Sequence, residues 1–218
     1  MKQSNLFTHL RSVDDSYIVV TALQHELPDA LPEKILFTGV GKINATHVLT
    51  RYLERNPHIK TVINYGTAGG VFGVKQGDVV RCTSFVQGDM DCGELVGGAG
   101  ITYGDDNIVK GVLSFPGGSQ YEETIGYVCR TQDRFVDDVD ALDLLEYTMQ
   151  GKNFNCVDME AYALAKVCAM MERDFICYKY ISDDANSNAD DEWTTNVANG
   201  EPAFYNLLQE HHGYKMIE

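Results

Sequence analysis

Hydrophobic and polar positions along this chain alternate between two rhythms. Short runs rich in β-branched and aromatic residues, bounded by glycine or polar residues, occupy positions 17–21, 35–40, 61–65, 78–86, 126–130 and 175–181, and runs of this kind predict strands. Between them the spacing becomes helical: Ala45, Val48, Leu49, Tyr52 and Leu53 make one apolar stripe, and Ala161, Leu164, Ala165 and Cys168 another. A third helix is predicted from Glu201 to His211, with Phe204, Leu207 and Leu208 turned inward. Strands alternating with helices, several of them apolar almost throughout, predict an α/β fold with a largely buried sheet covered by helices on both faces. With 218 residues and neither an internal repeat nor a linker-like stretch, the whole chain, 1–218, is expected to form one domain. Ligands of such folds gather in the loops at the carboxyl ends of the strands, which is where chemistry is sought.

Composition narrows the partners. Against 17 basic residues stand 32 acidic ones, a net charge of −15, which repels a nucleic-acid backbone and leaves small molecules or other proteins. No apolar run approaches the roughly 20 residues of a membrane span, and the first residues, MKQSNLFTHLRSVDDS, lack the apolar core of a signal peptide. A cytosolic protein without membrane contact is expected. Cys82, Cys92, Cys129, Cys156, Cys168 and Cys177 form no C-x-x-C pair, several lie in apolar runs, and the histidines are dispersed except for His211 and His212. Reduced, buried cysteines and no metal site are therefore expected.

Four strand-end segments couple a strand to small or polar residues: TALQHEL (21–27), GVGKINA (39–45), NYGTAGG (64–70) and YISDDAN (180–186). Glycine lets backbone amides approach a ligand, and in NYGTAGG this marks Thr67, Ala68 and Gly69 as a candidate ligand surface. A fifth segment, VDMEAYALAKVC (157–168), places Asp158, Met159 and Glu160 directly before a helix. Acids there favour the positive end of the helix dipole, a reading that by itself accounts for Asp158. The glycine-rich stretch 93–104 reads as a mobile loop.

An acidic residue after the first strand, then GVGKINA, NYGTAGG, QDRF, VDMEA and ISD occur in this order between Thr21 and about Trp193. In this the chain resembles the nucleoside phosphorylase superfamily, and within it most closely the 5′-methylthioadenosine/S-adenosylhomocysteine nucleosidase type. The resemblance implies a three-layer α/β sandwich, a central mixed twisted sheet flanked by helices. It also implies an N-glycosyl hydrolase that needs no cofactor, takes a small-molecule purine nucleoside, and forms a homodimer with residues 87–106 near the partner's site.

Breaking an N-glycosidic bond builds positive charge on the ribose and negative charge on the departing base, and the resemblance assigns residues to each need. Asp183, beside Ser182, is the catalytic acid at N7 of the purine. Glu26 is the catalytic base that activates water, with Gln24 and His25 departing from the more acidic run of the relatives. Glu160 and the Met159 backbone hold the ribose 2′- and 3′-hydroxyls, with Asp158 in the same segment. Thr67 supplies a hydroxyl and Lys179 a cation near the water, the lysine standing where relatives carry arginine. Phe135 stacks on the base, the Val136 backbone reads its edge, and Trp193 falls where the family closes a loop over the site.

Two other readings share this fold. A phosphorylase needs cationic side chains to hold phosphate, whereas TALQHEL offers a Glu and no Arg, so hydrolysis is expected. A non-catalytic nucleoside-binding or storage protein needs no general base, and the joint presence of Glu26, Glu160 and Asp183 separates it from an enzyme. The 5′ substituent of the nucleoside is left open, because residues 87–106 depart from the methylthioadenosine pattern.

Overall fold

The computed structural model describes residues 10–12, 15–29, 35–93, 100–102, 112–115, 126–139, 154–212 and 214–216. In chain order the strands are β1 (Leu10–Ser12), β2 (Tyr17–Thr21), β3 (Ile35–Phe37), β4 (Thr61–Gly70), β5 (Val79–Gln87), β6 (Val112–Ser114), β7 (Tyr127–Thr131), β8 (Cys156–Asp158), β9 (Asp174–Asp183) and β10 (Tyr214–Met216). The helices are α1 (Lys42–Arg55), α2 (Ala161–Met170), α3 (Ala189–Asn196) and α4 (Glu201–His211). β1 and β10 pair antiparallel as a small separate ribbon. The other eight strands form one mixed sheet.

β4 organises that sheet because it changes neighbours along its length. Its first residues pair parallel with β2 (Tyr17↔Thr61 to Val20↔Asn64), and its last two pair antiparallel with β8 on the side β2 has vacated. Along its other side β9 runs parallel from Thr61↔Asp174 to Gly69↔Asp183, with a register shift at Ala68/Gly69. β9 pairs in turn with β5, β5 with β7, and β7 with β8. The path β4–β9–β5–β7–β8 thus returns to β4, and five strands close into a ring. β2 and β3 extend the sheet on one side of β4, and β6 continues along β5 where β9 leaves it.

Alternation of side chains on the strands divides the core. Ile18, Val20 and Val62 face α1 and α2, where Leu49, Leu53 and Leu164 complete one apolar cluster. Val19, Ile63 and Tyr65 face the other way, against Phe204, Tyr205 and Leu208 of α4. Helices cover both faces of a mixed sheet, as expected. α2 is buried on seven of its ten positions and has little amphipathic character, whereas α1 keeps a polar outer face. α4 begins and ends where the sequence predicts, with Pro202 in its first turn, where a missing N–H costs nothing.

Several elements differ from what the sequence predicts. The strand expected at 61–65 continues to Gly70, so that NYGTAGG is not a loop after a strand but the strand itself. β1, β6, β8, β10 and α3 were not expected as elements, and the strand expected at 35–40 ends at Phe37. Most of the glycine-rich stretch 93–104, and half of the 87–106 segment expected near a partner's site, lie outside the described residues. All six cysteines are free, and five are buried. No helix among the described residues is long and apolar enough to cross a membrane.

Candidate active site

The expected catalytic residues meet where β2, β4, β8 and β9 end together. β2 leads into a single 3-10 turn, Gln24–Glu26, that folds Glu26 back over the strand end. Its Oε2 accepts the Thr21 hydroxyl at 2.7 Å and the N–H groups of Ala22 and Leu23 at 3.1 and 3.0 Å. Its Oε1 accepts the Thr67 N–H at 2.7 Å and the Thr67 hydroxyl at 3.0 Å. Five donors with no opposing acceptor suit a carboxylate, which only accepts. The Trp193 indole N–H donates to the same Thr67 oxygen at 3.0 Å. The one Thr67 proton is thereby directed at Glu26, and α3 is tied to it.

Asp183 closes β9 and is 2% exposed. The Ser182 hydroxyl donates to Oδ2 at 2.8 Å and the Ala185 N–H to Oδ1 at 3.0 Å. Burial raises its pKa in spite of those two bonds, toward the proton-carrying form. A side chain on Gly69 would put Cβ 2.8 Å from Asp183 Oδ1. Only glycine lets β4 and β9 close here.

Glu160 stands at the entry to α2 and accepts the Gly41 N–H at 2.8 Å. Gly41, with φ of 93°, adopts the left-handed region that favours glycine, and so aims its amide across the site from the start of α1. Burial, and then the charge of neighbouring Asp158, push the Glu160 pKa up to about 8.

Beneath these groups Lys179 Nζ and Asp158 Oδ2 form an ion pair at 2.8 Å, each side chain 1% exposed. Asp158 also accepts the Thr131 hydroxyl and the N–H groups of Glu160 and Ala161. Burial opposes both charges, but mutual attraction prevails, holding Asp158 below and Lys179 above their ordinary ranges. The helix-dipole role read for Asp158 is realised in those two amide bonds.

Glu26, Asp158, Glu160 and Asp183 line a cavity of about 270 Å³ together with Thr67, Ala68 and Gly69. Phe135, Val136, Met159 and Ser182 complete the expected set around it. Lys179 is the exception. It does not line the cavity and pairs with Asp158 from β8, while a Cβ on Gly66 would lie 3.1 Å from its Nζ and 3.2 Å from Glu26 Oε1. Ala22, Leu23, Val40, Arg134, Val157 and Asp190 also line the cavity and were not singled out from the sequence. All but Asp190 lie within TALQHEL, GVGKINA, QDRF and VDMEA. Asp190 comes from α3, whose first turn holds Asp190, Asp191 and Glu192, an acidic run that marks a helix start.

A family model described as the phosphorylase superfamily matches residues 32–210. The chain is 31% identical over 158 residues to a 5′-methylthioadenosine/S-adenosylhomocysteine nucleosidase of Thermotoga maritima, covering 72% of this chain and 68% of that protein. It is 28% identical over 164 residues to the enzyme of the same name from Anoxybacillus flavithermus, covering 71% and 69%. The fold is similar to that of a futalosine hydrolase mutant of Helicobacter pylori, with a TM-score of 0.73 at 15% identity, covering 88% of this chain and 96% of that one. A methylthioadenosine/S-adenosyl homocysteine nucleosidase of Helicobacter pylori gives a TM-score of 0.72 at 17% identity, covering 88% and 95%.

Glu160 keeps its proton to about pH 8 when folded, against 4.5 for an ordinary glutamate. Between those values the folded chain binds the extra proton, so stability falls as pH rises through the window. Glu160→Gln removes that dependence. The melting temperature of the variant relative to the parent, followed by calorimetry, is expected to climb from pH 4.5 to pH 8, and a constant difference would mean that Glu160 is ionised throughout.

Proposed function

Because the chain belongs to the phosphorylase superfamily, we propose that this cavity hydrolyses the N-glycosidic bond of an adenine-type nucleoside, with water as the nucleophile. One observation carries the reading. The cavity is walled by the acidic side chains of Glu26, Asp158, Glu160, Asp183 and Asp190, and the single cation among its described lining residues, Arg134, is 62% exposed with Nη2 at 3.5 Å from Asp137. Such a wall offers phosphate no buried cationic anchor and admits water. The nucleosidase relatives support the same reading, with 5′-methylthioadenosine and S-adenosylhomocysteine as the leading substrates.

The residues divide the work by chemistry. As the bond from C1′ to N9 lengthens, its electron pair moves into the purine, and Asp183 gives its proton to N7 so that the base leaves neutral. The raised pKa of Asp183 suits that donation. Glu160 accepts the ribose hydroxyls, and the cationic ribose, an opposite charge, favours its ionised form. Water bonds to C1′ as Glu26 takes its proton, and free base and a ribose product result. Half-exposed Phe135 offers the base a stacking face, and the buried Val136 offers backbone at its edge. We infer a homodimer as well, since Val40 at the cavity and Ile43 on α1 are 40% and 80% exposed and a second chain would cover them; a monomer at micromolar concentration in sedimentation would contradict this.

Two measurements test the reaction. With 5′-methylthioadenosine, adenine release is expected to be indifferent to added phosphate, and a ribose 1-phosphate product would establish phosphorolysis instead. Asp183→Asn keeps the size of the side chain and removes the proton, so turnover is expected to fall by about 10²–10⁴-fold. Much of that loss should be recovered on a nitrophenyl riboside, whose leaving group needs no protonation. Full activity of the variant on adenosine-type substrates would refute the acid assignment.

A further inference from the structure

The strand ring has a layer below the cavity that the proposed reaction does not use. Side chains two apart on a strand share a face. Thr131, Asp158 and Lys179, which meet under the cavity, therefore share their strand faces with Cys129 on β7, Cys156 on β8 and Cys177 on β9. Register sets Cys129 opposite Cys156 and Cys82 of β5 opposite Cys177. The Sγ atoms of Cys82, Cys129 and Cys156 all lie within 4.8 Å of one another, with Cys82 and Cys156 at 3.8 Å. All four cysteines are at most 3% exposed and sit among apolar residues such as Phe85, Phe175 and Ile181.

Thiols used only as small apolar filler have no need to converge from three strands on one point. A cation bound to sulfur at about 2.3 Å separates its ligands by about 3.8 Å at the tetrahedral angle and about 4.0 Å in a trigonal plane. The Cys82–Cys156 pair already has that spacing, and no pair needs a shift of more than about 1 Å. Sulfur ligands in a dry site select soft ions and exclude magnesium and calcium. We propose that Cys82, Cys129 and Cys156 form a binding site for one soft d10 cation of the zinc or copper(I) class, with the Cys177 thiol as an available fourth sulfur.

Each coordinating thiol releases its proton. A divalent ion and three thiols give a tris-thiolate of net charge minus one and three protons, whereas copper(I) leaves a charge of minus two. Lys179, in the layer above, is within electrostatic reach of Cys129, Cys156 and Cys177 and offsets that charge, better for the divalent ion. The Cys177 thiol now points to Asn64 Oδ1 at 3.3 Å, so a three-sulfur site needs no rearrangement there and a four-sulfur site needs this bond released. The site rests on strand register and the spacing of the sulfurs and stands or falls independently of the nucleosidase reading.

The cluster has no exposed sulfur, so the ion is supplied as the protein folds. The full chain would be expressed in media supplemented with zinc, with copper or with neither, purified in reducing buffer with a chelator, and weighed by native mass spectrometry. One ion per chain is expected, lost in Cys129→Ser and Cys156→Ser, kept in Cys92→Ser, and accompanied by a higher melting temperature. X-ray absorption at the metal edge of the parent protein should count three sulfur neighbours, or four if Cys177 joins, a number that decides the matter even if the serine variants fail to fold. Metal-free protein from every medium, fewer than three sulfurs, or an ion retained in both cluster variants would overturn the site.

Discussion

A carboxylate loses its hydration when buried and stays in place only where protein donors replace the water. Glu26 is 4% exposed and receives five donors, drawn from β2, from the turn that carries Glu26 itself and from β4. The rest of the site depends on that replacement. It fixes how the turn after β2 folds back and how closely β4 must approach, and through Thr67 and Trp193 it fixes where α3 lies. β4 can approach because its end is made of Gly66, Thr67, Ala68, Gly69 and Gly70, with little side chain between Glu26 on one side and Asp183 on the other.

Below this the charge balance is set by one buried pair. Removing either partner of such a pair strands the other and costs about 3–5 kcal/mol, so Asp158 and Lys179 hold β8, β9 and the start of α2 together rather than serving as free charges. Asp158 in turn raises the pKa of Glu160. The cavity thus carries carboxyl groups in unlike environments. Glu26 is surrounded by donors, Glu160 and Asp183 are pushed by burial toward their protonated forms, and groups so differentiated can take proton-accepting and proton-donating roles side by side.

Much of the fold was legible because β-branched runs and the apolar stripes of α1, α2 and α4 are strong local signals. The end of β4 was not, since glycine ordinarily weakens a strand; here its lack of a side chain is the requirement. β8 has only three residues, too few to show a period, and α3 has little apolar content beyond Trp193 and is marked chiefly by its acidic first turn. At the site, the order of motifs pointed to Glu26, Glu160, Asp183 and Phe135, which all reach the cavity. It did not reveal that Lys179 would be taken up by Asp158, because that pairing follows from the register of β7, β8 and β9. The convergence of Cys82, Cys129 and Cys156 has the same origin and leaves no trace in their spacing.

The central claim, that the clamped carboxylate draws a proton from water, is tested most directly by Glu26→Gln. Glutamine keeps one oxygen acceptor and the size of the side chain, but its amide cannot take the proton. Single-turnover release of adenine from 5′-methylthioadenosine, measured beside equilibrium binding of adenine, is predicted to slow by about 10²–10⁴-fold while binding changes little. Turnover near that of the parent protein, with the variant folded, would contradict the account.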